Sequence, residues 1–264
     1  MENFKVIQPS TVLAPYVRHY WLLESDDITQ SQRVIPTGNV ELLFHRGCPM
    51  KRNDQIIPIT SLSGQSLSFA DLAPTGIVNM IAVVFHPFGA KAFFDMPVYE
   101  LSNLIVSADD LGIGSLKELE DKILHTVDDN TCIRLIESFL TSHLNPFKEY
   151  NYKRMVAAVN TINLCNDELS VLQLSETLCL SKKQFERIFS QHIGATPKEF
   201  MRIVRFHKAL YTLQNNPSMN FTTLAYECGY YDQAHLSNEF KLFSGYTPSQ
   251  YVAICTPYSD YFSL

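Results

Sequence analysis

Two clusters of polar side chains in the last third of the chain have the residue types that bind nucleic-acid bases. Arginine and lysine pair with guanine, glutamine and asparagine with adenine, and glutamate accepts a hydrogen bond from cytosine. Such residues occur together as Lys183, Glu186 and Arg187, and again as Gln233, Ala234, His235 and Asn238. Ser181 and Asp232 precede the clusters, and both residue types favour the N-cap of a helix. The pattern therefore predicts two helices with exposed polar faces.

The two clusters belong to a sequence repeat. Residues 189–197 (FSQHIGATP) are echoed by residues 240–248 (FKLFSGYTP), with one offset throughout, since 240 − 189 and 248 − 197 both equal 51. A repeat of this length indicates one supersecondary unit that is used twice. We predict that each copy contains a helix, a turn and a second helix, and that the second helices end at Gly194 and Gly245.

Apolar residues at helical spacing predict the buried faces of these units. In the first copy they are Leu174, Leu178, Phe185, Ile188 and Phe189, and in the second they are Leu236, Phe240 and Phe243. Between the copies, Pro197 begins a helical pattern that continues to Asn215-Asn216-Pro217. A single long helix can hold two recognition helices about 34 Å apart, so that both reach successive major grooves.

Residues 152–252 resemble the paired helix-turn-helix domain of AraC-type bacterial transcription regulators. The likeness rests on spaced motifs within Ser181–Phe189, Gly229–Lys241 and Gly245–Tyr251. It implies an all-α domain over 152–255 that binds double-stranded DNA, followed by a tail over 256–264. The implied base contacts are Lys183, Glu186, Arg187, Gln233, Ala234, His235 and Asn238, and the implied phosphate contacts are Ser181, Lys182, Arg202 and Lys241.

The first unit departs from the family pattern. That pattern places glycine in the turn and alanine in the preceding helix, and the second unit keeps both as Gly229 and Ala225. The first unit has Cys179 and Ser175 instead. A turn that needs a positive φ strains a residue other than glycine. We therefore expect the first unit to dock differently or to bind DNA more weakly.

The N-terminal half is predicted to be rich in β-strands. The β-branched and aromatic stretches are 16–23, 40–44, 56–60 and 77–85, and helical periodicity follows from about Ala90, including 116–124 and 133–144. We predict a β-rich domain with C-terminal helices over 1–145, a linker over 146–151 and an overall α+β class. Residues 33–44 and 84–90 are similar to the sensor domain of some AraC-type regulators, which implies signal reception or dimerisation.

Composition sets limits on partners and location. The net charge is −6, divided as −7 over 1–150 (11 Lys+Arg, 18 Asp+Glu) and +1 over 151–264 (10 and 9). A near-neutral half can bind DNA when its cations share one face. The sequence shows no basic-apolar leader and no long apolar run, so we expect a cytoplasmic protein without a membrane partner. Its six cysteines are dispersed, so no metal site or cofactor is expected.

Other functions remain open at this point. An enzyme of the cupin type would use His45 and His86 as metal ligands, but no His-x-His with a close downstream glutamate is present. A DNA-repair enzyme would need a cysteine in a transfer motif, and none of the six has that setting. A third class is an interaction protein with a degenerate DNA-binding module. For a regulator, further partners would be RNA polymerase, a small-molecule effector and a second copy of the chain.

Overall fold

The computed structural model describes residues 3–27, 31–145, 149–165 and 169–254. Its N-terminal part contains two antiparallel sheets, a six-stranded sheet in the order β1-β2-β9-β4-β7-β10 and a four-stranded sheet in the order β3-β8-β5-β6. The strands are β1 (Asn3–Ile7), β2 (Val17–Ser25), β3 (Gln32–Val34), β4 (Glu41–His45), β5 (Met50–Arg52), β6 (Gln55–Ile56), β7 (Thr60–Ser63), β8 (Ala70–Pro74), β9 (Val78–Phe85) and β10 (Ile105–Ser107).

The central strands of the large sheet are buried on both faces. Tyr20, Leu42 and Val83 are register partners on one face and pack beneath α1 (Gly114–Leu124) and α2 (Asp129–His143). Trp21 and Ala82 are partners on the other face, in a cluster that includes Met50 of the small sheet. Because both faces are covered, these strands are apolar almost without alternation, as in Val78–Phe85.

The C-terminal part is helical. Its helices are α3 (Glu149–Leu164), α4 (Val171–Thr177), α5 (Lys182–Ile193), α6 (Pro197–Asn215), α7 (Phe221–Glu227), α8 (Gln233–Ser244) and α9 (Pro248–Ile254). One hydrophobic core joins α3, α4 and α5 to the start of α6, and a second joins the rest of α6 to α7, α8 and α9. The long helix α6 thus belongs to both units.

The predicted α+β class is confirmed, with corrections to single elements. Residues 56–60 are not one strand, because β6 ends at Ile56 and β7 begins at Thr60, with Pro58, which has no backbone N–H, between them. Helix α3 begins at Glu149, so the last three predicted linker positions are helical, whereas 146–148 and the predicted tail 256–264 lie outside the described residues. Two 3-10 turns (Ala90–Ala92, Val98–Leu101) and β10 precede α1.

Neither a membrane-spanning helix nor a cluster of metal ligands occurs among the residues that the structure describes. Across the described ranges, no helix has both the length and the apolar content that crossing a bilayer requires. Within the same residues, no group of three or more His, Cys, Asp or Glu side chains is arranged to hold a metal ion.

Candidate nucleic-acid interface

In the first helix-turn-helix unit, local capping fixes both ends of α5. The backbone N–H of Gln184 donates to Ser181 Oγ at 3.3 Å, and the N–H of Ser181 donates to Gln184 Oε1 at 3.2 Å. This reciprocal capping box satisfies backbone donors that a helix start leaves unpaired. The helix ends at Gly194, whose φ of +88° is left-handed. The Ser181 hydroxyl, a predicted phosphate contact, therefore also caps the helix.

The second unit repeats this plan with different residues. Asp232 caps α8 by accepting a hydrogen bond from the N–H of His235 at 2.7 Å, and Gly245 ends the helix at a φ of +78°. The hydroxyl of Thr222, on α7, donates to Gln233 Oε1 at 3.0 Å, which ties the first residue of α8 to the preceding helix. The predicted caps and helix ends are thus confirmed in both units.

The two turns begin alike, although their residues differ and the second turn is one residue longer. Cys179 has a φ of +54° and Gly229 a φ of +75°. In each turn a backbone N–H reaches back to the helix in the same way, from Leu180 to the carbonyl of Ser175 at 2.9 Å and from Tyr230 to that of Ala225 at 2.8 Å. The positive φ that the departure at Cys179 raised is confirmed, and a left-handed non-glycine residue costs about 1–2 kcal/mol.

We expect Cys179→Gly to stabilise the protein by about 0.5–1 kcal/mol, because relief of the backbone strain exceeds the added entropy of the unfolded chain. The reciprocal Gly229→Cys should destabilise by about 1–2 kcal/mol, through the backbone alone, since a Cβ there would lie 3.9 Å from Arg205 Cδ, an ordinary contact. Urea unfolding of both variants and of the wild-type protein measures these changes in the free energy of unfolding. A loss of stability in Cys179→Gly would contradict the assignment of strain.

The predicted base contacts lie on the outer faces of α5 and α8. Lys183, Arg187, Gln233, Ala234 and Asn238 are exposed, as are the predicted phosphate contacts Lys182 and Lys241. Glu186 is half-buried, and its Oε1 lies 4.0 Å from the Nζ of Lys182. The two helices therefore present hydrogen-bonding side chains from their first two turns, the part of a recognition helix that enters the major groove.

His235 is held in place more firmly than its neighbours. Its Nδ1 accepts a hydrogen bond from the N–H of Tyr231 at 3.4 Å, and its Nε2 lies 3.6 Å from Glu239 Oε1. The ring also packs edge-on against Tyr230. Its orientation is fixed by the protein before any ligand is bound.

Arg202, a predicted phosphate contact, is engaged inside the domain. Its Nε lies 2.6 Å from Glu239 Oε1, and Arg205 Nη2 lies 2.9 Å from Glu239 Oε2. The Glu239 side chain is only 6% exposed. A single buried carboxylate on α8 therefore binds two arginines of α6. Glu239 and Arg205 were not among the predicted site residues; the signal in the sequence was a glutamate on the same helical face as Leu236 and Phe243.

Comparison with known proteins identifies these units. Residues 174–253 match a family described as a helix-turn-helix domain, and residues 5–107 match a domain of unknown function (DUF6597). The chain carries an AraC-type helix-turn-helix domain. The AraC-type domain accounts for the repeat, because its two units are the two copies.

Several known proteins are similar to this chain. An uncharacterised HTH-type transcriptional regulator of Haemophilus influenzae is 26% identical over 157 residues, covering 60% of this chain and 52% of the relative. The transcriptional activator RhaS of Enterobacter sp. is 29% identical over 84 residues, which cover 32% of this chain and 30% of RhaS. The chain thus spans about half the length of the first relative and under a third of the second. The structure of ToxT from Vibrio cholerae covers 97% of this chain and 98% of its own, at 11% identity and a TM-score of 0.44.

Both recognition helices of the AraC-type domain end against the N-terminal part of the protein. At the end of α5, a Cβ on Gly194 would lie 3.0 Å from the carbonyl of Val98 and 3.2 Å from Gln65 Cγ. At the end of α8, a Cβ on Gly245 would overlap the guanidinium of Arg33 and lie 3.0 Å from Phe69 Cζ. The repeat-equivalent glycines therefore permit close approach as well as the left-handed turn.

Arg33 of β3 makes the most extensive of these contacts. Its Nε and Nη2 donate to the Asp71 carboxylate at 2.7 and 2.8 Å, which lowers the pKa of that carboxyl. Its Nη1 donates to the carbonyl of Ser244, the last residue of α8, at 3.4 Å. The guanidinium lies between the rings of Phe69 and Tyr246, 4.3 and 4.5 Å from their centroids. A cation at a helix C-terminus also interacts favourably with the helix dipole.

The long helix α6 contacts the same N-terminal segment. His207 Nε2 donates to the carbonyl of Pro36 at 2.6 Å. Gly38, at a φ of +76°, approaches Phe200 so closely that a Cβ would lie 3.2 Å from the ring. Residues 33–39 therefore contact both the helix that connects the units and the end of the second recognition helix. We call this segment the interdomain strap.

Proposed function

We propose that the protein is a sequence-specific DNA-binding transcription regulator, in which α5 and α8 read two successive segments of the major groove. The observation that carries the proposal is the pair of equivalent helices with capped N-termini and exposed polar faces, joined by the single helix α6. The H. influenzae relative and RhaS are named as transcriptional regulators. Base contacts come from the residues predicted above, and Lys182 and Lys241 bind phosphates.

The N-terminal part is proposed to control how the two helices are presented. It touches the ends of both recognition helices and the connecting helix through the interdomain strap, Gln65 and Val98. A signal that changes this docking alters the relative orientation of α5 and α8. The coupling free energy is the difference between the binding free energies of the signal for the docked and the undocked arrangement.

Further partners follow from this function. We propose a homodimer, because a second copy multiplies the phosphate contacts and raises DNA affinity steeply. RNA polymerase is the proposed partner at the promoter, and the cytoplasm is the proposed location. Sedimentation of the full-length protein with and without its selected DNA site measures the oligomeric state.

Selection of binding sites from a random DNA pool tests the proposed function. With the full-length protein we expect a motif with two elements about one helical turn apart. Arg187→Ala should relax base preference in one element and Asn238→Ala in the other, each by about 1–3 kcal/mol. Lys51→Ala, which removes an exposed cation from β5, is the matched control and should leave the motif unchanged. Loss of preference in the same element for both variants would exclude two independent reading helices.

A further inference from the structure

A side-chain hydrogen bond joins the two helices of the second helix-turn-helix unit at their N-terminal ends. The hydroxyl of Thr222, on α7, donates to Oε1 of Gln233, the first residue of α8, at 3.0 Å. Gln233 is exposed, and its Nε2 has no hydrogen-bond acceptor among the residues that the structure describes. Its carboxamide therefore turns the oxygen to α7 and leaves the NH2 group, with two donor hydrogens, to the solvent.

Both partners of this bond are positioned by their own helices. The backbone N–H of Thr222 donates to Oδ1 of the N-cap residue Asn220 at 2.8 Å, and Gln233 directly follows Asp232, which caps α8. The two helices share one hydrophobic core. Threonine is β-branched, so its side chain has few rotamers. The direction of the Thr222 hydroxyl toward Gln233 is thus set before DNA is bound.

The orientation of this carboxamide decides which base Gln233 can bind. An unrestrained glutamine binds adenine with both groups, since Oε1 accepts from the N6 amino group and Nε2 donates to N7. With Oε1 turned to Thr222, only the NH2 group faces the groove, and the amino group of adenine or cytosine would oppose it. Thymine presents one acceptor, O4, whereas guanine presents two adjacent acceptors, O6 and N7. Guanine therefore satisfies the NH2 group most completely.

The first helix-turn-helix unit lacks this arrangement. Its first helix, α4, is seven residues long like α7, and its second residue is Leu172 where α7 has Thr222. The first residue of α5 is Lys182, in the place of Gln233. Leucine has no hydroxyl to donate, and lysine is a point charge that suits phosphate. The hydrogen bond between the two helices therefore distinguishes the second unit.

We propose that Gln233 binds guanine and that Thr222 is the positioning residue that determines this choice. The inference rests on the proposed function, because it names a base that one recognition helix selects. Asn238, on the same helix, provides the contrast. It is exposed and has no hydrogen-bond partner among the described residues, so both groups of its carboxamide are available for adenine. Two carboxamides of α8 thus select different bases because α7 holds one of them.

Selection of binding sites from a random DNA pool by the full-length protein tests the assignment. Gln233→Ala should abolish the preference at one base pair and so identify it. There the wild-type protein should select guanine over adenine at least about fivefold. Thr222→Val, which keeps the shape of the side chain without the hydroxyl, should release Oε1 and shift this ratio toward adenine at least about fivefold. Thr222→Ser should restore guanine.

Thr223→Val, at the next exposed position of α7, is the matched control and should leave the motif unchanged. An unchanged motif in Gln233→Ala, selection of another base by the wild-type protein at this base pair, or an unchanged preference in Thr222→Val would each overturn the proposal. The regulator function survives all three results, because a motif with two elements is still enriched. Its own failure is seen as the absence of any motif.

NMR relaxation of the Gln233 side-chain amide in the full-length protein tests the hydrogen bond without DNA. The heteronuclear NOE reports how rigidly the group is held on the fast timescale. We expect it to fall in Thr222→Val and to keep its wild-type value in Thr223→Val. Equal values in the wild-type protein and in Thr222→Val would overturn the positioning role of Thr222, whether or not the DNA selection enriches a motif.

Discussion

Replacing Glu239 with alanine is expected to destabilise the second helix-turn-helix unit by about 2–3 kcal/mol. The substitution removes the carboxylate that binds Arg202 at 2.6 Å and Arg205 at 2.9 Å. Breaking a buried ion pair from one side usually costs about 3–5 kcal/mol, because a charge stays buried without a partner. Here the side chains of Arg202 and Arg205 are 34% and 27% exposed. Water can therefore hydrate both guanidinium groups after the carboxylate is removed, and the expected loss of stability is smaller.

Glu186→Ala is the matched control for this prediction. Glu186 also lies on a recognition helix, but its 4.0 Å pair with Lys182 joins side chains that are 45% and 58% exposed. Such a surface pair contributes under about 0.5 kcal/mol. Glu239→Gln keeps a hydrogen-bond acceptor and should lie between the two variants. Urea unfolding followed by circular dichroism ranks all three, and equal midpoints for Glu239→Ala and Glu186→Ala would contradict the proposed role of the buried carboxylate.

The same carboxylate links stability to DNA recognition. It holds α8 against α6 through two arginines, and it lies 3.6 Å from His235, one of the predicted base contacts. A loss of Glu239 therefore frees both the helix and the imidazole. We expect Glu239→Ala to weaken preference in the DNA element read by α8 while the element read by α5 is preserved, which the site selection described above resolves.

The sequence predicted the parts of the structure that local signals determine. Ser181, Asp232, Gly194 and Gly245 mark the helix ends because capping depends on a residue and its neighbours within one turn. The buried faces followed from helical periodicity. The strained turn at Cys179 was predictable because the second copy of the repeat supplied the glycine for comparison.

The remaining features depend on contacts between distant residues. The role of Glu239 was not predicted, because its partners, Arg202 and Arg205, lie on another helix. The docking of Arg33 on the end of α8 joins positions 211 residues apart, and no periodicity reports such a pair.

Gly245→Ala is expected to destabilise the protein by about 2–4 kcal/mol and to loosen the interdomain strap. About 1–2 kcal/mol is the strain of a left-handed alanine, and the rest, about 1–2 kcal/mol, arises because the new Cβ would overlap Arg33 and press on Phe69. Gly112→Ala isolates the first contribution, since Gly112 has a φ of +67° and nothing lies within 4 Å of its would-be Cβ.

Hydrogen exchange separates docking from general stability in these two variants. In Gly245→Ala, amides of residues 33–39 and 244–247 should exchange faster, because Arg33 can no longer donate to Ser244 or lie between Phe69 and Tyr246. In Gly112→Ala the same amides should keep wild-type protection, since a Cβ at that position would meet nothing within 4 Å. If both variants lose equal stability and equal protection, the close approach at Gly245 does not hold the two parts together, and control of the recognition helices must act through α6 and the Val98 contact with α5 instead.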